Sequence, residues 1–290
     1  MSNYTDVTYT GGENTTWFKM IKNIPEKSRV LDIGCSSGNF GEELQKAKNC
    51  EVIGVDLDAD DVKRAAKVLK SAYVMNIETD DFRKLGKFDR IIFADVIEHL
   101  VDPVDSLKRT KKLLKPGGQV MFSIPNMAHM GTRLMLLTGK FGYGETGLLD
   151  KTHLHFYDED EVRRVFNDAG YGIDVFEWTE YYIPKKEVTA RLAAVGLKPT
   201  SEFFDGAKKI DAVGLQYVGA ASPVSRKTKK IILPPMSPWV DRTDQYIERY
   251  VKEADARVLA MQSEINAIKQ SSSWRVTKPL RGIKQLKGNR

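Results

Sequence analysis

Near-continuous apolar blocks alternate along this chain with stretches whose apolar residues recur at helical spacing. Val30-Leu31-Asp32-Ile33, Val52-Ile53-Gly54-Val55 and Ile91-Ile92-Phe93-Ala94 are such blocks, the pattern of strands buried on both faces. Between the second and third, Val62, Ala65, Ala66 and Leu69 fall on one helical face. The pattern predicts a helix over 15–23 stopped by Pro25, a strand over 29–33, a helix over 39–48 and a strand over 51–55. It continues with a helix over 59–70, a short strand near 72–75, a strand over 88–94, a helix over 103–114 and a strand over 119–124. Strands and helices at this pitch predict an α/β fold with a parallel sheet covered on both faces. Residues 125–156 break the rhythm with a helix over 127–137 and a Gly-rich loop. A capped helix over 158–169 and strands over 172–179 and 212–220 complete the expected core.

The turn Gly34-Cys35-Ser36-Ser37-Gly38 joins the first strand to a helix, and Asp56 ends the second strand. Glycines let the backbone approach a ligand, and an acidic residue about 20 positions further on accepts hydrogen bonds from ribose hydroxyls. Gly34 and Gly38 are four apart, a wider turn than the dinucleotide fingerprint. A pyrophosphate needs a tight cluster of N–H groups at a helix start. A wide turn led by Asp32 suits instead a zwitterionic amino acid, whose ammonium needs an acceptor.

These residues resemble the first motif of the class I S-adenosylmethionine-dependent methyltransferases, and the resemblance covers residues 15–221. It implies a Rossmann-like, seven-stranded, mostly parallel sheet with helices on both faces and an antiparallel last strand. It also implies that Asp32, Gly34, Cys35, Ser36, Gly38, Asn39 and Phe40 hold the methionine part of S-adenosylmethionine. Asp56 would hold the ribose diol, with Leu57 against the adenine. Asn76 and Ile77 stand where the family places a group near the adenine amino group, and Ala94 and Asp95 would complete the cofactor site.

Asp95, Glu98 and His99 follow the fourth strand at i, i+3 and i+4, and converge if the segment turns helically. Many metal-free family members carry Glu-His here, with the imidazole near the transferred methyl. In some ubiquinone-pathway O-methyltransferases and small-RNA ribose methyltransferases, a similar acid-x-x-Glu-His set binds Mg²⁺ with help from another group. Two carboxylates and an imidazole are acceptable ligands for a hard divalent ion, although a metal-free site is the expectation. These groups could also simply cap the next helix.

The segment Asp150-Lys151-Thr152-His153-Leu154-His155 holds two of the four histidines. If extended, it places His153 and His155 on one face. Residues 125–157 resemble methyltransferases of bacterial polysaccharide biosynthesis, in which Asp-x-Thr-His-Leu is typical. That resemblance implies a sugar hydroxyl on a lipid-linked or nucleotide-linked glycan as acceptor, with His153 as general base ahead of His99 and His155. An alcohol needs such a base, and imidazole is the side chain whose ordinary pKa suits the task at neutral pH. Two rival readings stand beside this one. The first is a metal-assisted O-methyltransferase acting on a phenolic or ribose acceptor, and the second is a cofactor-binding scaffold of a glycan-assembly complex.

Charge changes the picture only beyond the core. The 290 residues carry a net charge of +6, which Arg275, Lys278, Arg281, Lys284, Lys287 and Arg290 supply entirely. Residues 1–270 are balanced, so the core has no net attraction for nucleic acid. Cys35 and Cys50 are the only cysteines, which fits a reducing cytoplasm. The N-terminal residues lack a signal-peptide pattern, and no run approaches the ~20 apolar residues of a membrane helix.

A methyltransferase domain is expected over 1–221 and a Pro-rich linker over 222–240. Ile247, Val251, Ala254, Val258, Met261, Ile265 and Ile268 then form a heptad seam, predicting a coiled coil over 241–270 that self-associates. Residues 271–281 resemble segments that follow coiled coils in bacterial glycosyltransferases and their fused methyltransferases. With the cations beyond them, they read as a basic amphipathic tail over 271–290. Such a tail suits the inner face of a membrane or a glycosyltransferase partner.

Overall fold

The first buried block forms β1 (Arg29–Ile33), which lies between two other buried blocks, β2 (Glu51–Asp56) and β4 (Phe88–Ala94), parallel to both. The computed structural model describes residues 12–209 and 212–224. The predicted coiled coil, the basic tail and most of the linker lie outside the described residues. In chain order the elements are α1 (Thr16–Lys22), β1, α2 (Asn39–Lys48), β2, α3 (Ala59–Ala65), β3 (Ser71–Val74), β4, α4 (Pro103–Thr110) and β5 (Leu114–Pro125). There follow α5 (Met130–Leu137), α6 (Glu159–Asp168), β6 (Tyr171–Glu180), α7 (Lys185–Ala193), α8 (Ser201–Lys209) and β7 (Gly214–Pro223).

The strands make one seven-stranded sheet in the order β3-β2-β1-β4-β5-β7-β6, in which β7 runs antiparallel to both β5 and β6. Side chains alternate between its faces. On one face Leu31, Phe93 and Phe122 pack with Phe166 of α6, and on the other Val30, Ile92 and Met121 pack with Leu44 of α2 and Met20 of α1. A smaller apolar cluster joins Met130 and Leu134 of α5 to Val188 and Leu192 of α7 and Ala207 of α8.

Several boundaries differ from the sequence expectation, each for a local reason. α3 stops at Ala65 rather than running to residue 70. The Lys70 backbone N–H donates to the Val52 carbonyl and Ser71 pairs with Ile53, so the chain must leave the helix to join the sheet. α4 gives way to a 3₁₀ turn over Lys111–Leu113, after which β5 begins earlier than expected, at Leu114. α5 starts at Met130 rather than at residue 127, because Asn126 Oδ1 accepts from the Ala128 N–H and His129 caps the helix. The helices α7 and α8, inserted between β6 and β7, have no counterpart in the sequence expectation. α7 buries only Val188 and Leu192, too sparse a stripe to stand out.

Candidate active site

Parallel strands open a crevice at their carboxyl ends, and here it is a cleft of about 530 Å³, a size suited to a small organic ligand. The turn after β1 forms its floor. Gly34 adopts φ +73°, and a Cβ on it would stand 2.5 Å from Val96 Cγ2, so only glycine fits. Asp56 braces the turn, its Oδ2 accepting from the Ser36 N–H at 2.8 Å and its Oδ1 from the Asp58 N–H at 3.0 Å.

All the residues expected around the cofactor line this cleft except Gly38. Gly38 instead caps α2 with φ +88°, its backbone close against Ala65. Asp32 is 2% exposed, and its Oδ2 has no hydrogen-bond partner. Burial, with the Asp56 charge beside it, pushes its pKa up to about 7. A buried carboxylate oxygen left without a partner on a ligand cleft fits the ammonium group of S-adenosylmethionine. Leu57 is a large apolar side chain left 68% exposed at the cleft, which fits an adenine face. Asn76 Oδ1 already accepts from the Glu78 N–H at 2.8 Å, so it has one lone pair left for the adenine amino group. Trp17 of α1 also lines the cleft and meets the Phe40 ring edge-on at 5.5 Å. It lies outside every motif, and no sequence signal marked it.

The reactive end differs from the expected convergence of Asp95, Glu98 and His99. The chain after β4 makes a 3₁₀ turn over Ile97–His99, with Asp95 in the left-handed region at φ +55°. That backbone carries the Asp95 carboxyl away to Ser123 Oγ and Gln216 Nε2, which donate to its Oδ1 at 3.0 and 2.9 Å. Burial raises the Asp95 pKa, opposed by those two bonds.

In its place, His153 joins Glu98 and His99, with one ligand atom from each within 4.8 Å of the others. The carbonyl of Glu98 accepts from the N–H groups of Leu154 and His155, which draws the loop onto the turn. His153 is buried and absent from the cleft wall, its ring meeting that of His99 edge-on at 4.8 Å. Its Nε2 stands 4.0 Å from Glu98 Oε1. Glu98 is 1% exposed, neither of its carboxylate oxygens has a hydrogen-bond partner, and burial pushes its pKa well up.

Both imidazoles are anchored through Nδ1, His99 to the Thr152 carbonyl and His153 to the Leu148 carbonyl, each at 3.2 Å. A carbonyl can only accept, so each Nδ1 carries hydrogen and each neutral ring keeps its Nε2 lone pair, as metal-ligating histidines do. His155 is half-buried beside the Tyr157 ring, and the segment around it is irregular rather than extended. His129 is buried at the start of α5, its Nε2 against the Tyr181 carbonyl. Of the four histidines, only His99 lines the cleft. Glu145, Asp150, Lys151 and Thr152 of the Gly-rich loop line it too, although sequence reasoning looked only to the histidines that follow them.

The family described as a methyltransferase domain matches residues 15–174. The chain belongs to that family. It is an S-adenosylmethionine-dependent methyltransferase with the Rossmann-like sheet of its class. The ubiquinone biosynthesis O-methyltransferase of Chromobacterium violaceum is 26% identical over 166 residues, covering 53% of this chain and 68% of that protein. The protein of the same description from Idiomarina loihiensis is 29% identical over 147 residues, covering 49% and 60%. Among such relatives the matched part spans as little as 44% of the other protein's length. The PH0226 protein of Pyrococcus horikoshii shares the fold at a TM-score of 0.50 and 18% identity, covering 77% of this chain and 96% of that one.

Proposed function

We propose that this methyltransferase methylates a hydroxyl oxygen, that of a phenolic acceptor, with a divalent ion such as Mg²⁺ held by Glu98, His99 and His153. The observation that carries the reading is the Glu98 carboxylate, buried with both oxygens unpartnered beside two imidazoles anchored through Nδ1. An uncompensated buried charge costs several kcal/mol, and a cation between these three groups removes that cost. The curated relatives act in ubiquinone biosynthesis, which favours a phenol.

S-adenosylmethionine supplies an electrophilic methyl when bound, and a divalent ion supplies a Lewis acid that favours the ionised hydroxyl. The remaining work belongs to the chain. Asp32 accepts the ammonium, Asp56 the ribose hydroxyls, and Leu57 covers the adenine. His99 faces the cleft where β4 ends, which puts the acceptor oxygen at that end. Asp95 lines the same wall, and its raised pKa suits it to take the acceptor's proton. Alignment of donor and acceptor in a closed cleft provides much of the acceleration.

A sugar hydroxyl is the second reading. The loop residues Glu145, Lys151 and Thr152 are polar and line the cleft, as a polyhydroxylated acceptor requires. Turnover with a catechol and a panel of sugars, each with excess chelator and then with added Mg²⁺, tests both readings. Methylation of the catechol that chelator abolishes and Mg²⁺ restores is the expected result. Full activity in chelator overturns the metal, and methylation of sugars alone overturns the phenol.

A further inference from the structure

Asp150 ends the Gly-rich loop, 2% exposed and bridged to Gly144. Its Oδ1 accepts twice from one residue, from the Thr152 backbone N–H at 2.8 Å and from Thr152 Oγ1 at 2.7 Å. A carboxylate has no proton to give, so the Thr152 hydroxyl is the donor in that contact. Its proton is thereby committed, and only its lone pairs face His99 Nδ1, 3.1 Å away. The Thr152 carbonyl faces the same nitrogen at 3.2 Å. Two acceptors on one ring nitrogen require that nitrogen to carry hydrogen.

We infer that Asp150 and Thr152 are positioning residues that lock neutral His99 as the Nδ1–H tautomer and so keep the Nε2 lone pair available at the cleft. The inference deepens the proposed function and rests on it for its purpose, since either a metal ligand or a proton acceptor at His99 needs that lone pair. Its physical content is the direction of a hydrogen-bond chain. Asp150 points the Thr152 hydroxyl, and that hydroxyl joins the Thr152 carbonyl in requiring hydrogen on Nδ1 of His99. The Asp-x-Thr spacing then has a chemical reason. Two residues is the reach over which a carboxylate can hold both the N–H and the hydroxyl of one threonine.

Asp150→Ala removes the one oxygen that accepts from both the N–H and the hydroxyl of Thr152. The hydroxyl can then turn its own proton toward Nδ1, and the Nε2–H tautomer of His99 gains population against the hold of the Thr152 carbonyl. Loss of a carboxylate that orients a histidine through the wrong tautomer is a recognised way to disable a site whose geometry survives.

The test is long-range ¹H–¹⁵N NMR of the full-length protein labelled with ¹⁵N-histidine, free of metal and acceptor at alkaline pH. Only four histidines contribute signals. In the unmodified protein His99 should show protonated Nδ1 and unprotonated Nε2. Asp150→Ala should move the His99 signals toward the opposite tautomer while leaving those of His129 in place. It should lower kcat by roughly 10- to 100-fold, the scale set by loss of an outer partner of a functional histidine, with the KM for S-adenosylmethionine unchanged. Thr152→Ser, which keeps the hydroxyl, should retain the unmodified signature.

An Nε2–H signature in the unmodified protein, or an unchanged Nδ1–H signature in Asp150→Ala, overturns the proposal. Because the signature is read without metal, the two readings fail separately. Chelator-resistant turnover together with a shifted tautomer removes the metal and supports the positioning role.

Discussion

Gln216 on β7 donates its side-chain amide to Asp95 Oδ1 at 2.9 Å, so a strand 121 residues away holds the carboxylate that follows β4. Thr16 of α1 donates to Gln216 Oε1 at 2.7 Å and fixes the amide's orientation. Together with Ser123, this network offsets the cost of a left-handed non-glycine residue, which is about 1–2 kcal/mol.

Gln216→Leu should free Asp95 from one of its two donors and leave the Thr16 hydroxyl without its acceptor. The expected result is a stability loss of about 1–2 kcal/mol with a lowered kcat, read by denaturant unfolding and steady-state kinetics. A wild-type kcat in a folded Gln216→Leu protein would show that Ser123 alone orients Asp95.

Asp56→Ala should weaken S-adenosylmethionine binding by about 2–3 kcal/mol, since bonds to a charged group are worth about 1.5–3 kcal/mol each and water replaces part of the loss. The effect has two sources, the ribose contacts and the Ser36 N–H that Asp56 holds in place. Calorimetric titration measures it. An unchanged affinity would remove Asp56 from the ribose site.

Asp32 gives the cofactor-free protein a pH dependence. Its pKa is raised from 3.8 to about 7 on folding. Between those values the unfolded chain has lost a proton that the folded chain keeps, so stability falls as pH rises through the window. Asp32→Asn should flatten that slope and raise the melting temperature at pH 8. It should also weaken cofactor binding, because the ammonium loses its ionised partner. Melting curves from pH 4 to pH 8 that keep the same slope in the variant would show that Asp32 is not the titrating group.

His153→Asn keeps a group that can bond the Leu148 carbonyl but removes Nε2 from Glu98 and His99. The Mg²⁺ concentration for half-maximal turnover should rise by roughly tenfold or more, with S-adenosylmethionine affinity unchanged. An unaltered Mg²⁺ requirement beside a low kcat would assign His153 to proton transfer, and near-normal kcat would make it structural.

What the sequence disclosed depended on how local the cause was. β1 and β4 span the residues expected of them, 29–33 and 88–94, because a mostly apolar run has one way to be buried in a parallel sheet. The cofactor turn was legible for the same reason, since Gly34, Asp32 and Asp56 all act within one βαβ unit. The cluster of Glu98, His99 and His153 was not. Helical spacing suggested that Asp95 would join Glu98 and His99, but a tighter turn and a left-handed Asp95 sent that carboxyl to Ser123 and Gln216. His153 took the place through the Glu98 carbonyl's hold on the loop, a contact between segments with no shared periodicity. Trp17 and Gln216 reach the site only because the sheet order brings α1 and β7 to it.

That sheet order also sets a timetable. β7 lies between β5 and β6, and a chain made from its N-terminus exposes the apolar edge of β5 until residues 214–223 have followed. At about 5–20 residues per second, the 121 residues from Asp95 to Gln216 take roughly 6–24 s to synthesise. During that interval Asp95 has only one of its two side-chain donors and β5 offers a free edge to any stray strand. The arrival of β7 therefore closes the sheet and, in the same step, delivers the second donor to the carboxylate that follows β4.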